Sequence, residues 1–357
     1  MKKYSSIALF LIIVVALIIV IGCTSYNIGI GPVSKSDTLK EIEITSGNSY
    51  LTISKLLKDN KLIKSENFYK LYIKLFKPTK LEACTYSLSE NMGVKKIVAV
   101  LESGCKSNPD AVKITFNEGL NMRKIASIIA SNTNNTENDV FATLKDTTYL
   151  DELISKYWFI TDDIKNSKIY YSLEGYLFPD TYEFNNKDVT VKEIFNTLIE
   201  QMNKKLTPFK EEIEKSKYSV HELLTVASMV ELEAGTNGDR AGVAAVFYNR
   251  LAVGMTLGSD VTAYYGVKKE LHEDDLYQSE LDAYNAYNTR NPNFIGLPVG
   301  PICNPGIDSI KAAIEPEDNN YYYFVADKNG KTYFNVDSAG HTKTVAELKS
   351  KGLWFEY

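Results

Sequence analysis

Residues 225–235, "TVASMVELEAG", set a carboxylate into the last turn of an apolar helix. Leu223, Leu224, Ala227 and Val230 recur at helical spacing and share one face that must be buried. Glu231 follows Ala227 by four residues and Leu224 by seven, so it lies on or beside that face. Ser219 and Glu222 have the spacing of a capping box at the helix start, and Gly235 reads as its stop. A carboxylate near a helix C-terminus meets the negative end of the helix dipole, and partial burial strips its water. Both effects favour the protonated form. A carboxyl group that keeps its proton near neutral pH can act as a general acid. The competing reading is a structural carboxylate on the rim of the helix, paired with a base or facing solvent. Glu233 lies two residues on and points well away around the helix, a surface acid or one that orients substrate.

Other elements must position that helix. Residues 24–40 are polar and turn-rich and read as a linker. "IEITSGNSYLTISKLL" from Ile42 and "ITFNEGLNMRKIASII" from Ile114 then form a weak repeat. At constant offset Ile42 meets Ile114, Gly47 meets Gly119, Ile53 meets Ile125 and Leu57 meets Ile129. Each copy predicts a short alternating strand, a glycine turn and an amphipathic helix. Such units resemble LysM-type modules, which grip amino-sugar polymers; the alternative is a common supersecondary unit without a ligand. Thr136 caps a further helix, and "LEGYLFPDTYEF" over 173–184 reads as an ordered connection in which Glu174 and Asp180 are structural. A long charged helix is expected from about Val191 to Lys215, and another from Asp239. The segment 257–266 reads as polar, and 287–306 as a loop held by its own turns, of the kind that walls a cleft. A helix over "DSIKAAIEP" and a hairpin turning at Asn329-Gly330 close the pattern.

The fold class expected is α+β: an N-terminal membrane helix, small α/β LysM-like subdomains, then a mixed α/β catalytic domain. The divisions run 1–23 for the anchor or signal, 24–40 for the linker, 41–112 for an N-terminal α/β subdomain, 113–184 for the LysM-like subdomain and its connection, and 185–357 for the catalytic domain. A chain of 357 residues accommodates these. Its net charge of -5 gives no broad basic surface and argues against a nucleic-acid partner. The 24 tyrosines suit strand packing and, as flat faces with polar tips, sugar rings.

Lys2 and Lys3 precede an apolar run from Ile7 to Ile21, then Gly22 and Cys23. This is either a single membrane-spanning anchor or a signal cleaved before a lipid-modified Cys23. Both readings tie the chain to a membrane and put residues 24–357 outside the cytoplasm. There Cys84 and Cys105 either form a disulfide or remain buried thiols. The spacing of the cysteines and of the three histidines matches no zinc site, and no G-x-S-x-G elbow occurs. No metal or organic cofactor is expected.

Six segments together resemble the YceG-like endolytic murein transglycosylases: "ITFNEGLNMRKIA", "LEGYLFPDTY", "TVASMVELEAG", "VFYNRLAVGMTLGSD", "YNTRNPNFIGLPVGPICNPG" and "YYYFVAD…TYFN…H". The chain departs from the family pattern at Gly258, Val261, Arg290 and Val299. The resemblance implies a bacterial enzyme anchored in the cell membrane. It would cut nascent peptidoglycan strands internally at the MurNAc-GlcNAc β-1,4 bond, leaving 1,6-anhydro-MurNAc ends. It places the catalytic acid at Glu231. Asp260 and Thr262 then read as substrate-binding or helix-capping residues. Tyr287, Asn288 and Thr289 read as donors to N-acetyl groups or as turn formers. The implied partners are glycan strands and cell-wall synthases such as penicillin-binding proteins. Two alternatives stand beside this reading: a non-catalytic peptidoglycan-binding scaffold, and a muramidase that uses water.

Overall fold

The computed structural model describes residues 2–104, 111–184, 186–234, 238–271 and 275–354. The chain divides into two compact units, 1–109 and 110–357. The fold is mixed α/β.

The first unit opens with α1 (Lys2–Ile30). Its apolar residues are not confined to one stripe, and over Ile13–Ile30 the mean hydropathy is 2.3 with little buried, so the helix is long and apolar enough to cross a membrane. Next come β1 (Lys40–Ile44), α2 (Ser54–Asp59), α3 (Glu66–Phe76), β2 (Cys84–Leu88) and α4 (Gly93–Glu102). β1 and β2 pair antiparallel, with Ile42 opposite Tyr86 and Ile44 opposite Cys84. The period of two sends Ile42, Ile44, Tyr86 and Leu88 into a core shared with Leu57, Tyr69, Val94 and Ile97. Cys84 is disulfide-bonded. Cys105, the partner in one of the two readings of this pair, lies outside the described residues. Cys23 and Cys303 are free thiols.

The second unit begins with β3 (Val112–Thr115), α5 (Met122–Asn132), α6 (Glu137–Thr143) and α7 (Thr147–Lys156), and returns through β4 (Thr181–Phe184), antiparallel to β3. The repeat expected from the sequence is present in both units: strand, glycine turn, helix. Gly47 and Gly119 occupy the turns with φ of 87° and 79°, a region that favours glycine. The charged helix expected over 191–215 is two helices, α8 (Val191–Leu206) and α9 (Lys210–Lys215), because Pro208 forces a 3-10 turn at Thr207–Phe209. α10 (Val220–Ala234) starts at the expected box: Glu222 N–H donates to Ser219 Oγ at 3.2 Å and Ser219 N–H to Glu222 Oε2 at 2.7 Å. Its expected stop, Gly235, lies outside the described residues. α11 (Arg240–Ala252), α12 (Asp260–Gly266), α13 (Gln278–Leu281) and α14 (Ile307–Ile314) follow. A hairpin of β5 (Tyr323–Ala326) and β6 (Thr332–Asn335) leads into α15 (Ser338–Ser350). One core runs from Ile114 to Ala313, so the 113–184 segment and the rest of the unit bury their apolar faces together.

α10 is the axis of that core. Every residue from Leu223 to Val230 is buried against its neighbours, chiefly α14, α11 and α12. The polar members of the run are satisfied in place. Thr225 Oγ1 donates to His221 O at 2.7 Å, and Ser228 Oγ donates to Thr225 O at 2.7 Å while accepting Ile302 N–H at 3.0 Å. Segments around α10 are tied to one another through Glu174, 1% exposed. Its Oε2 accepts Met122 N–H and Tyr265 O–H, both at 2.9 Å, and its Oε1 accepts Asn304 Nδ2–H at 3.0 Å. Burial pushes the Glu174 carboxyl up to about 7 against these donors. The folded state therefore holds more protons than the unfolded chain from about pH 4.5 to about pH 7, so stability falls as pH rises through that window. The thermal midpoint of the full chain in detergent is expected to drop between about pH 5 and about pH 7.5. Glu174→Gln should flatten that slope while lowering the midpoint overall.

Candidate active site

Glu231 sits on the last turn of α10 with its side chain 8% exposed. Its Oε2 accepts the Gly306 backbone N–H at 2.8 Å, and Arg240 Nη2 stands 3.7 Å from its Oε1. Gly306 is the N-cap of α14 and Arg240 the first residue of α11, so the starts of two helices converge on one carboxyl. Arg240 is held in turn by Ser309, whose Oγ accepts its Nε–H at 3.0 Å. One sequence reading gave Glu231 apolar surroundings; the competing one paired it with a base or turned it to solvent. The structure combines features of both: burial removes water, and a guanidinium and a main-chain donor stand in its place. Neither is local in sequence, which is why periodicity missed both.

A second carboxylate shares the site. Glu118, from the turn between β3 and α5, lies so close to Gly306 that a methyl group built there would collide with its carboxyl. The turn rests on α10: a Cβ at Gly119 would stand 3.3 Å from Leu232 Cδ2 and 3.7 Å from Glu231 Cγ. Two backbone bonds fix it, Gly119 N–H to Asn304 O at 3.0 Å and Asn304 N–H to Leu120 O at 2.9 Å. Burial, and then the charge of Glu231, push the Glu118 carboxyl above its ordinary value; Asp308 adds to this and Arg240 opposes it. Sequence reasoning passed over Glu118, although its segment was marked. The usable signal was an acid directly before a turn glycine in a segment shared with the family. Beside the pair, Arg240, Asp239, Asp308 and Lys311 line a surface depression of about 370 Å³. Cys303, fully buried with its Sγ 3.3 Å from Ser228 O, has its thiol pushed well up, first by burial and then by Glu231.

The remaining residues marked from sequence gather elsewhere. Glu233 points away from Glu231, and its Oε1 accepts Ser259 Oγ–H at 2.6 Å. Burial raises its carboxyl, with Asp260 adding to this and Arg250 and Arg290 opposing it. Asp260 opens α12, where the sequence suggested a polar turn, and its carboxylate pairs with Arg290 Nε at 3.0 Å in the open. Thr262 and Thr289 are fully buried, their hydroxyls 2.8 Å apart. Thr289 Oγ1 also accepts Ser259 N–H at 3.1 Å, and Thr262 Oγ1 accepts Thr289 N–H at 3.0 Å. Tyr287 is buried among Tyr170 and Tyr265, and its hydroxyl accepts Tyr170 N–H at 3.1 Å. Asn288, also buried, donates through Nδ2 to the carbonyls of Leu281 and Ala283 at 2.9 and 2.7 Å. Thr262, Tyr287, Asn288 and Thr289 thus use their polar atoms to shape the 287–306 loop and turn none of them to solvent.

A model of the YceG-like family matches residues 42–347. The chain belongs to the YceG-like family. Its similarity to named members is spread over most of its length. It is 38% identical over 314 residues to the endolytic murein transglycosylase of Bacillus subtilis, covering 87% of this chain and 86% of that protein. It is 30% identical over 323 residues to the endolytic murein transglycosylase of Streptococcus pneumoniae, covering 86% of this chain and 58% of that longer protein. A crystal structure of a YceG-like protein from Listeria monocytogenes superposes with a TM-score of 0.61 at 35% identity, covering 87% of this chain and 100% of that one.

Thr289→Val strands the buried Ser259 N–H and removes the hydroxyl that donates to Thr262 Oγ1, and should cost about 1–3 kcal/mol in chemical denaturation. Asp260→Asn breaks an exposed pair and should change stability by less than about 0.5 kcal/mol. Equal losses in the two variants would show that the buried cluster is not what holds the loop.

Proposed function

We propose that the chain is a lytic transglycosylase of peptidoglycan that cuts the MurNAc-GlcNAc β-1,4 bond within nascent glycan strands and closes a 1,6-anhydro ring on MurNAc. The observation that carries this reading is Glu231, nearly buried and held at the junction of two helix starts in a family whose named members are endolytic murein transglycosylases. Glu231 gives its proton to the departing O4 as the C1–O4 bond breaks. The C6 hydroxyl of the same MurNAc attacks C1, and its proton returns to Glu231. The nucleophile is already attached to its target, so no second reactant has to be found. The Gly306 N–H and Arg240 stabilise the carboxylate that exists between the two transfers. Glu118 works in the opposite direction, since a like charge beside Glu231 favours holding one proton in the pair.

The same reading takes α1 as an anchor that leaves the bulk of the chain outside the cytoplasm. The two strand–turn–helix units are LysM-like grips on the glycan, and cell-wall synthases are the neighbours that supply the strand. The paired carboxylates Glu118 and Glu231 favour one second reading, a muramidase in which one carboxylate activates water. Mass spectrometry separates the two, because anhydro and reducing ends differ by one water.

Glu231→Gln in the purified full chain is expected to lower release of anhydro-ended fragments by about 10²–10⁴-fold with the fold intact. Unchanged product formation would refute the proposal. Glu118→Gln is expected to lower product release by less than Glu231→Gln does, because Glu118 transfers no proton in this mechanism.

A further inference from the structure

The outward face of α3 carries apolar side chains that remain largely exposed. Tyr69, Tyr72 and Ile73 face the core, whereas Leu71, Leu75 and Phe76 are 42%, 62% and 61% exposed. Leu71 and Leu75 are one helical turn apart on one stripe. Lys74 and Lys77 flank them, both exposed and without an ion pair among the described residues. Lys77, left-handed at φ 47°, ends the helix, and Pro78 follows.

The course of α3 beside α1 says which way this end points. At its start, Lys64 Nζ donates to Ile28 O at 3.3 Å. One turn on, Phe68 packs on Gly29 and lies 6.1 Å from the Tyr26 ring. Further along, Phe76 stacks on Tyr72 at 4.3 Å. From Lys64 to Phe68 the partners on α1 extend from Ile28 back to Tyr26, so the two helices run antiparallel. The next turn carries Leu75 and Phe76 about 6 Å further, toward Gly22 and the exposed apolar run 17–21.

We infer that the C-terminal end of α3 is a membrane-surface contact: Leu71, Leu75 and Phe76 enter the interface of the bilayer that α1 crosses, with Lys74 and Lys77 on anionic phospholipid headgroups. This rests on the anchor reading of α1. An amphipathic edge of this kind binds by buried apolar area together with attraction of its lysines to anionic lipid. It fixes the first unit against the membrane at two points rather than one.

The test uses the full chain with the exposed thiol removed by Cys23→Ser, reconstituted in phosphatidylethanolamine–phosphatidylglycerol vesicles. Nitroxides are placed by Leu75→Cys, by Val15→Cys within α1, and by Asp59→Cys near the start of α3. Power saturation then compares access of oxygen with access of a water-soluble nickel chelate. At 75 the nickel access is expected to be several-fold below that at 59, with oxygen access between those at 59 and 15. Adding Lys74→Glu and Lys77→Glu should restore nickel access at 75. Nickel access at 75 equal to that at 59, with 15 still in hydrocarbon, overturns the contact and leaves the anchor standing. Free nickel access at 15 overturns both.

Discussion

The second unit depends on what Asn304 joins. Its side-chain oxygen accepts Gly175 N–H at 3.1 Å and Leu177 N–H at 2.9 Å, and its Nδ2 reaches Leu120 O and Glu174 Oε1. Its own main chain pairs with the turn at Gly119 and Leu120. Three stretches remote in sequence, around 119, 175 and 304, are thereby fixed to one amide side chain with all its hydrogen-bonding capacity in use. Gly306 lies two residues beyond it, so the position of the donor to Glu231 is inherited from this junction. Glu118 arrives through the same turn. The site is therefore as precise as a buried polar network, not as loose as the loops that carry it.

The charges at the site balance rather than accumulate. Glu231 and Glu118 repel each other, while Arg240 and the Gly306 N–H attract Glu231. The acid proposed for the reaction thus has neighbours of both signs rather than a dry apolar pocket. Glu233 is kept out of this balance by its place on the helix, where Ser259 occupies it.

What was legible in the sequence was what local periodicity and capping chemistry encode. The capping box of α10, the face of Glu231, both strand–turn–helix units and the Asn329-Gly330 hairpin follow from residues within a few positions of one another. The break at Pro208 was readable by the same rules, yet the surrounding charged pattern carried the expectation through it. α12 was missed because its first residues are polar, although Val261, Ala263 and Tyr265 are buried. Arg240, Gly306 and Glu118 were not legible as partners of Glu231, because only the tertiary fold brings them there. Tyr287, Asn288 and Thr289 could be read either as donors to a ligand or as formers of turns, and in the structure their polar atoms are taken up within the fold.

The donor that grips Glu231 at Gly306 belongs to the peptide itself. No ordinary substitution at that position deletes it; among the standard residues only proline lacks the hydrogen. Drift in this part of the gene can crowd the acid or shift it, but it cannot easily take away its main-chain grip. Any retuning of this carboxyl over generations must then come through the shapes and charges around it.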